Sequence, residues 1–448
     1  MAPPVGSSAN VAAMDASHTD GHSHGHYGRA LSLLATLFFM WGFITVINGT
    51  LLPHLRSVFE LSYFQAALIE SVWFIAYFFA SIPAAMLIER IGYQKSLVTG
   101  LLIMAGGAVG MMVAASIPSY GITLAMLFVI ASGITLLQVA ANPYVAVIGP
   151  AETASSRLNL VQAMNSAGTM LAPMFGAWLI LGRSKGGTAA AGTVLTQAER
   201  LADAHSVILP YGIVAVVLTV LAIVIARFPL PAIGAANRRV REATAEGSLW
   251  HRFWNHPLWQ HRNLVLGVPA IFIYLIAEIG VGNLFINFIS RPDIGGMTAE
   301  QAGRYLTLLW GGMMVGRFVG SAIMQKVDAG IVLAVFSVGA FVVMGITVVS
   351  SGQVAMWSLI LVGLFHSIMF PTIFTLGIRG LGPLTEEGSG LLIMAIAGGA
   401  LVAVQGWLAD RYGLQASFIL TAVCELYTLF YAVWGSRPTH ALPDLEVE

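Results

Sequence analysis

The chain has 448 residues, of which 57% are hydrophobic and 9% charged; it carries no net charge, and its mean hydropathy is +0.81. Soluble domains carry roughly a quarter charged residues, so a soluble protein is excluded, and neutrality gives no reason to expect a nucleic-acid partner. The single Cys424 rules out an internal disulfide and any multi-cysteine metal or iron–sulfur centre, so no cofactor is expected.

In chain order, residues 1–28 come first, with "SHTDGHSHGH" placing His18, His22, His24 and His26 in a stretch rich in Ala, Gly and Ser. Clustered imidazoles can bind transition metals, but this composition predicts a disordered tail with a weak or absent metal role. Twelve hydrophobic segments follow, each long enough to cross the roughly 30 Å hydrocarbon core as a helix. The predicted spans are 30–54, 63–88, 95–116, 121–147, 158–182, 206–228, 262–290, 299–324, 329–349, 354–378, 386–409 and 414–435. The first is too long for a removable signal peptide and lacks a small-residue cleavage site, so it is expected to remain.

Helix two carries Glu70, Trp73 and Tyr77, and "MLIERIGYQKS" after it holds Glu89, Arg90, Gly92 and Lys95. Helix four contains "TLLQVAANPYVAVIGP", in which Gln138 and Asn142 are four residues apart and share one face. Pro143 deletes one intrahelical hydrogen bond, so a polar neighbour or water must satisfy the freed carbonyl, and such a break belongs next to a cavity. By the same spacing Gln162 and Asn165 of helix five lie together. Between helices six and seven, 229–261 is the longest break. Its Trp250, Phe253, Trp254 and Trp259, interspersed with Arg and His, suit either a short amphipathic helix at headgroup level or a plain charged linker.

Helix seven holds Glu278, Asn283 and Asn287; helix eight holds Trp310 and Arg317; helices ten, eleven and twelve hold His366, Gln405 and Glu425. An ionised side chain in mid-span costs on the order of 2.5–3.5 kcal/mol and usually faces a pore or a partner. A Glu278–Arg317 pair between consecutive helices is conceivable. His366 reads as a hydrogen-bonded structural histidine and Glu425 as a residue of a helix interface. For every amide named, bonding between helices competes with a binding role.

With both termini inside, thirteen Lys and Arg fall in cytoplasmic segments, seven fall outside, and Arg317 lies within a span; the bias predicts cytoplasmic termini. The halves 29–228 and 262–437 also echo each other, leaving a short tail, 438–448. Pro143 matches Pro371, Gly149-Pro150 matches Gly382-Pro383, Ser156 matches Ser389, and Trp73 matches Trp310. The fold expected is an all-α polytopic membrane protein of twelve helices in two pseudo-symmetric six-helix bundles, the architecture of transporters that bind substrate at mid-membrane. A membrane enzyme would need a convergent catalytic set, and none is found. A receptor or scaffold would not need duplicated, proline-broken helices.

At "FFMWGFITVINGTLLPHLRSVFELSYFQAALIE", "LLQVAANPYVAVIGP", "ETASSRLNLVQAMNSAGTMLAPMFG" and "SIMFPTIFTLGIRGLG" the chain resembles the fucose/glucose/galactose permease family of the major facilitator superfamily, from 30 to 435. Within it, the bacterial glucose/galactose transporters are the most similar branch. The resemblance implies hexose import by alternating access, coupled to a proton or sodium, by a monomer in the inner membrane. It also implies that Gln138, Asn142, Gln162, Asn165, Asn283, Asn287 and Gln405 offer donors and acceptors to sugar hydroxyls, and that Trp73, Tyr77 and Trp310 pack on the pyranose C–H face. "MLIERIGYQKS" resembles the superfamily loop signature, so Glu89, Arg90 and Lys95 are expected to gate, with Arg317. The fucose branch uses an Asp on helix one and a Glu on helix four for binding and proton coupling; here Gly49 and Gln138 stand at those places, and neither titrates. Glu70, where similar proteins carry Gln, lies within a few Å of the depth of residue 49 at about 1.5 Å per residue and is a candidate replacement. With Glu278 it makes up the expected coupling pair. An uncoupled facilitator, or a carrier of N-acetylglucosamine, fructose or fucose, stays open as an alternative.

Overall fold

The computed structural model describes residues 28–45, 63–117, 119–176, 208–231, 256–439 and 442. Among them twelve helices cross the molecule: α1 Gly28–Thr45, α2 Tyr63–Ile91, α3 Tyr93–Ser116, α4 Tyr120–Val147, α5 Ala154–Gly176, α6 Ile208–Arg227, α7 Arg262–Ile289, α8 Ala299–Ile323, α9 Ala329–Val349, α10 Gly352–Ile378, α11 Gly382–Tyr412 and α12 Leu414–Gly435. Eleven are long and apolar enough to span a bilayer on those grounds alone. The exception, α5, carries Arg157, Asn159, Gln162, Asn165 and Ser166 along a helix of membrane-spanning length. Its polarity suits a span packed between two halves of the molecule rather than one that faces lipid.

The ends are set by local chemistry. Ser119 and Asp328 cap α4 and α9 by accepting from Ile122 N–H and Gly330 N–H, and Thr298 and Gln301 form a capping box at α8. Gly92, at φ +81°, lets α2 give way to α3 across one residue. Beyond α7 the Arg291 side chain bonds Asp293 and holds its carboxyl below the ordinary value. α10 is interrupted at Ser367 and Ile368, and α11 tightens to 3-10 geometry over Ala395–Leu401. Large apolar side chains such as Phe79, Val216, Val335, Val349 and Trp407 remain exposed around the outside, as on a surface that meets lipid.

The two halves repeat each other's packing. Helix α3 contacts α4 and α6 as α9 contacts α10 and α12, and α2 lies on α4 as α8 lies on α10. The halves join through α5 on α8 and α2 on α11, again equivalent pairs. One apolar core runs across both halves, from Leu97 and Leu137 to Ile373 and Leu392. A second, around Phe285, Leu309, Met356 and Phe418, belongs to the second half alone. The junction therefore lies at the end that holds the α2–α3, α4–α5, α8–α9 and α10–α11 connections, which is the end with the larger share of Lys and Arg.

Candidate functional site

Proline placement explains how the centre is built. Pro143 has no N–H for the carbonyl of Val139, four residues back, and that carbonyl accepts instead from Ser389 Oγ of α11 at 3.0 Å. Pro371 likewise frees the carbonyl of Ser367, and Arg317 Nε of α8 donates to it at 2.9 Å. The neighbour required on sequence grounds is thus a side chain in both repeats, from the opposite half in one case and the same half in the other. The approach of α8 to the α10 break depends on Gly316. A Cβ there would run into Ser367 Oγ and lie 2.6 Å from the Leu364 carbonyl.

Around these breaks the polar side chains of the first half converge. Gln138 Nε2 donates to the Tyr77 hydroxyl, joining α4 to α2. Gln162 Nε2 donates to Asn142 Oδ1 at 3.4 Å, joining α5 to α4. Asn142 is fully buried, and its Nδ2 has no hydrogen-bond partner among the described residues. Arg317 Nη1 crosses from the second half to the Gln162 carbonyl at 3.0 Å and to Ser166 Oγ. Two bonded groups therefore meet on α4: Tyr77 with Gln138, and, spanning the junction, Asn142 with Gln162, Ser166 and Arg317.

Other expected residues sit apart from these groups. Asn165 Nδ2 donates to the Phe38 carbonyl of α1 at 2.9 Å, which is bonding between helices. Gln405 is buried, donates to Thr421 Oγ1 at 3.4 Å and presses its Oε1 on Gly280 of α7, where only a glycine leaves it room. Asn283 and Asn287 are exposed, one turn apart, and Trp73 and Trp310 are half-buried. Glu278 is half-buried, but the conceived ion pair with Arg317 is not formed: the Arg317 donors go to the Ser367 and Gln162 carbonyls and to Ser166. The carbonyl that Pro371 frees is the nearer claim on the guanidinium. Glu70 lies in α2 with its side chain outside the described residues. Gly49, the four tail histidines, Trp250, Phe253 and Trp254 also lie outside them.

Toward the joined end the halves meet through short polar side chains. Ser155 Oγ lies 2.6 Å from Thr375 Oγ1, and Asn159 Nδ2 donates to Thr372 Oγ1 at 3.1 Å. Ser156 and Ser321 exchange hydroxyl-to-carbonyl bonds of 2.7 and 2.8 Å. Arg90 and Lys95 of the loop signature are exposed, and the loop faces the second half through Tyr93, which lies beside Glu386 and Glu89. Arg157, counted from sequence as a loop charge, is buried and caps the end of α4 by donating to the Val145 and Pro150 carbonyls. A cavity of about 650 Å³ opens at this same end beside Lys326, Asp328 and Arg379, away from the amides. Ser389, Ser321 and Tyr93 were missed as site residues on sequence grounds; only the Ser156–Ser389 match pointed toward one of them.

Residues 32–404 match the Major Facilitator Superfamily. The chain is similar to the glucose/galactose transporter of Brucella abortus biovar 1 (strain 9-941), 45% identical over 94% of this chain and 97% of that protein. It is also similar to the L-fucose-proton symporter of Escherichia coli (strain K12), 33% identical over 91% and 93%. Among solved structures it resembles the transporter FucP in its outward conformation, with a TM-score of 0.82 and 32% identity over 92% of this chain and all of that one.

Proposed function

The chain belongs to the fucose/glucose/galactose permease family of the Major Facilitator Superfamily, and from that premise we propose that it imports a hexose of the glucose or galactose type by alternating access, coupled to a proton or sodium. The joined end is then cytoplasmic, both termini lie on that side of the inner membrane, and the conformation described faces outward. One observation carries the sugar assignment: fully buried Asn142 has an unmet amide donor inside a set that also offers Gln138, Gln162 and Tyr77. A buried donor without a partner is costly, and a sugar hydroxyl meets that need. Half-buried Trp73 supplies an aromatic surface on the same helix as Tyr77. Glu278, and Glu70 on α2, are the carboxylates proposed to serve coupling.

Uptake of labelled glucose and galactose into proteoliposomes, in sodium-free buffer under an imposed inward proton gradient, tests this reading. Accumulation above equilibrium is the expected result and identifies the proton as the coupling ion. Accumulation only after sodium is added would assign sodium instead. Equilibration without accumulation in either buffer would leave a facilitator, the reading favoured by a neutral Gln138 bonded to Tyr77. No entry, and no competition from any hexose, would overturn the sugar assignment.

A further inference from the structure

Two buried titratable side chains take no part in the site described above. His366, on α10 immediately before its break, places Nε2 2.9 Å from Glu425 Oε1 of α12, and the two side chains are 2% and 0% exposed. The second oxygen of Glu425, Oε2, has no hydrogen-bond partner among the described residues. Tyr274 of α7 stands edge-on to the imidazole, 5.6 Å between ring centres, and its hydroxyl donates to the His366 carbonyl at 2.8 Å. The residue after His366 is Ser367, whose carbonyl receives Arg317 Nε.

Among the described residues, the charged and titratable groups around the pair are few. From α7, Tyr274 faces it with Glu278 beside the tyrosine; from α8, Arg317 acts on both of these; from α12 itself comes buried Cys424. Helix α9, packed along α12, has no titratable side chain in Ala329–Val349. Because Arg317 is bound to Ser367, Gln162 and Ser166, a neutral His366 beside an ionised Glu425 leaves the pair with one net negative charge. One added proton makes it neutral. In surroundings this dry the neutral arrangement is favoured, because an uncompensated buried charge is strongly penalised.

We propose that the His366–Glu425 pair is the proton-binding site of the transport cycle, and that Arg317 governs its release. This rests on the reading of the chain as a cation-coupled sugar importer. While the halves are joined, the Arg317 guanidinium is held by the Gln162 carbonyl and Ser166 Oγ of the first half. The pair then keeps a proton taken from outside water. Separation at that end removes both first-half acceptors and leaves Arg317 free to turn toward Glu278 and Glu425. The guanidinium then supplies the positive charge the proton had supplied, and the proton leaves His366 for cytoplasmic water. Because Gln162 also belongs to the sugar set, the same guanidinium registers both the sugar and the state of the junction.

The test uses the full-length protein in proteoliposomes with labelled D-galactose, comparing wild type, Glu425→Gln and His366→Gln. Expected is loss of gradient-driven accumulation to the equilibrium level in both variants, with galactose exchange at zero gradient within about twofold of wild type. Accumulation by both variants as in wild type would overturn the proposal while leaving proton coupling intact. A wild type that never accumulates under a proton gradient would instead overturn proton coupling, and the proposal with it. Should a variant lose exchange as well, the pH profile of galactose binding to detergent-solubilised His366→Asn decides. Binding retained with the wild-type pH dependence flattened supports the pair, and an unchanged profile overturns it.

Discussion

Gln138, Asn142 and Gln162 are buried, so each amide has to find partners or lose stability, and the three solve this differently. Gln138 takes the Tyr77 hydroxyl, Gln162 takes Asn142 Oδ1, and Asn142 keeps one donor unmet. Asn142→Ala is therefore expected to weaken galactose binding by about 1 to 2 kcal/mol, roughly a 5- to 30-fold rise in Kd. A tryptophan-fluorescence titration measures this, and an unchanged Kd would remove Asn142 from the site. At this scale the sequence was informative about residue type and face. The i, i+4 spacing put Gln138 and Asn142 together, and Pro143 announced a carbonyl in need of a donor. It could not say that the donor is Ser389, 250 residues away, nor that Arg317 prefers the carbonyl freed by Pro371 to the carboxylate of Glu278. Such choices depend on distances between helices, and periodicity along one helix carries none of them.

Among the helices, the spans were legible because a bilayer imposes length and apolarity on each one. Most ends fell within a few residues of those expected, with α6 at Ile208–Arg227 against 206–228 and α7 at Arg262–Ile289 against 262–290. The α10 interruption and the 3-10 stretch of α11 were not foreseen, since both arise where helices press on each other. Gly316 shows how narrow the tolerance is. Gly316→Val puts side-chain atoms against Ser367 and the Leu364 carbonyl, and overpacking of this kind costs about 1–3 kcal/mol. A lower melting temperature in detergent is expected, together with loss of accumulation, because Arg317 moves with α8. A variant that melts and transports like wild type would mean that α8 and α10 shift apart freely.

In the whole molecule the duplication was visible in short matches, Pro143 with Pro371 and Ser156 with Ser389, and the packing repeats them as equivalent helix pairs. The symmetry is broken in its chemistry. Ser389 serves the Val139 carbonyl across the junction, whereas Ser156 exchanges bonds with Ser321 and leaves Ser367 to Arg317. Arg317 is thus the charged contact between halves in the central set, and its removal should loosen their closure. In a Ser155→Cys background, where the site faces Thr375 across the junction, adding Arg317→Gln is expected to speed maleimide labelling from the side of the joined end. Equal labelling rates would show that the junction does not depend on the guanidinium.

The hydroxyl bonds across the junction also bear on hydration. The Val139 carbonyl, the Ser156–Ser321 exchange and the Asn159–Thr372 bond are satisfied only while the halves touch. When they part, each group takes a water molecule in place of a protein partner, at little net change in hydrogen-bond energy. Opening at the joined end is then largely an uptake of solvent, and its equilibrium follows the thermodynamic activity of water. A solute excluded from the protein surface and trapped inside the vesicles should hold the junction closed. Galactose exchange should slow as internal osmolality rises at constant viscosity, and the slope would report the volume of water that one opening admits.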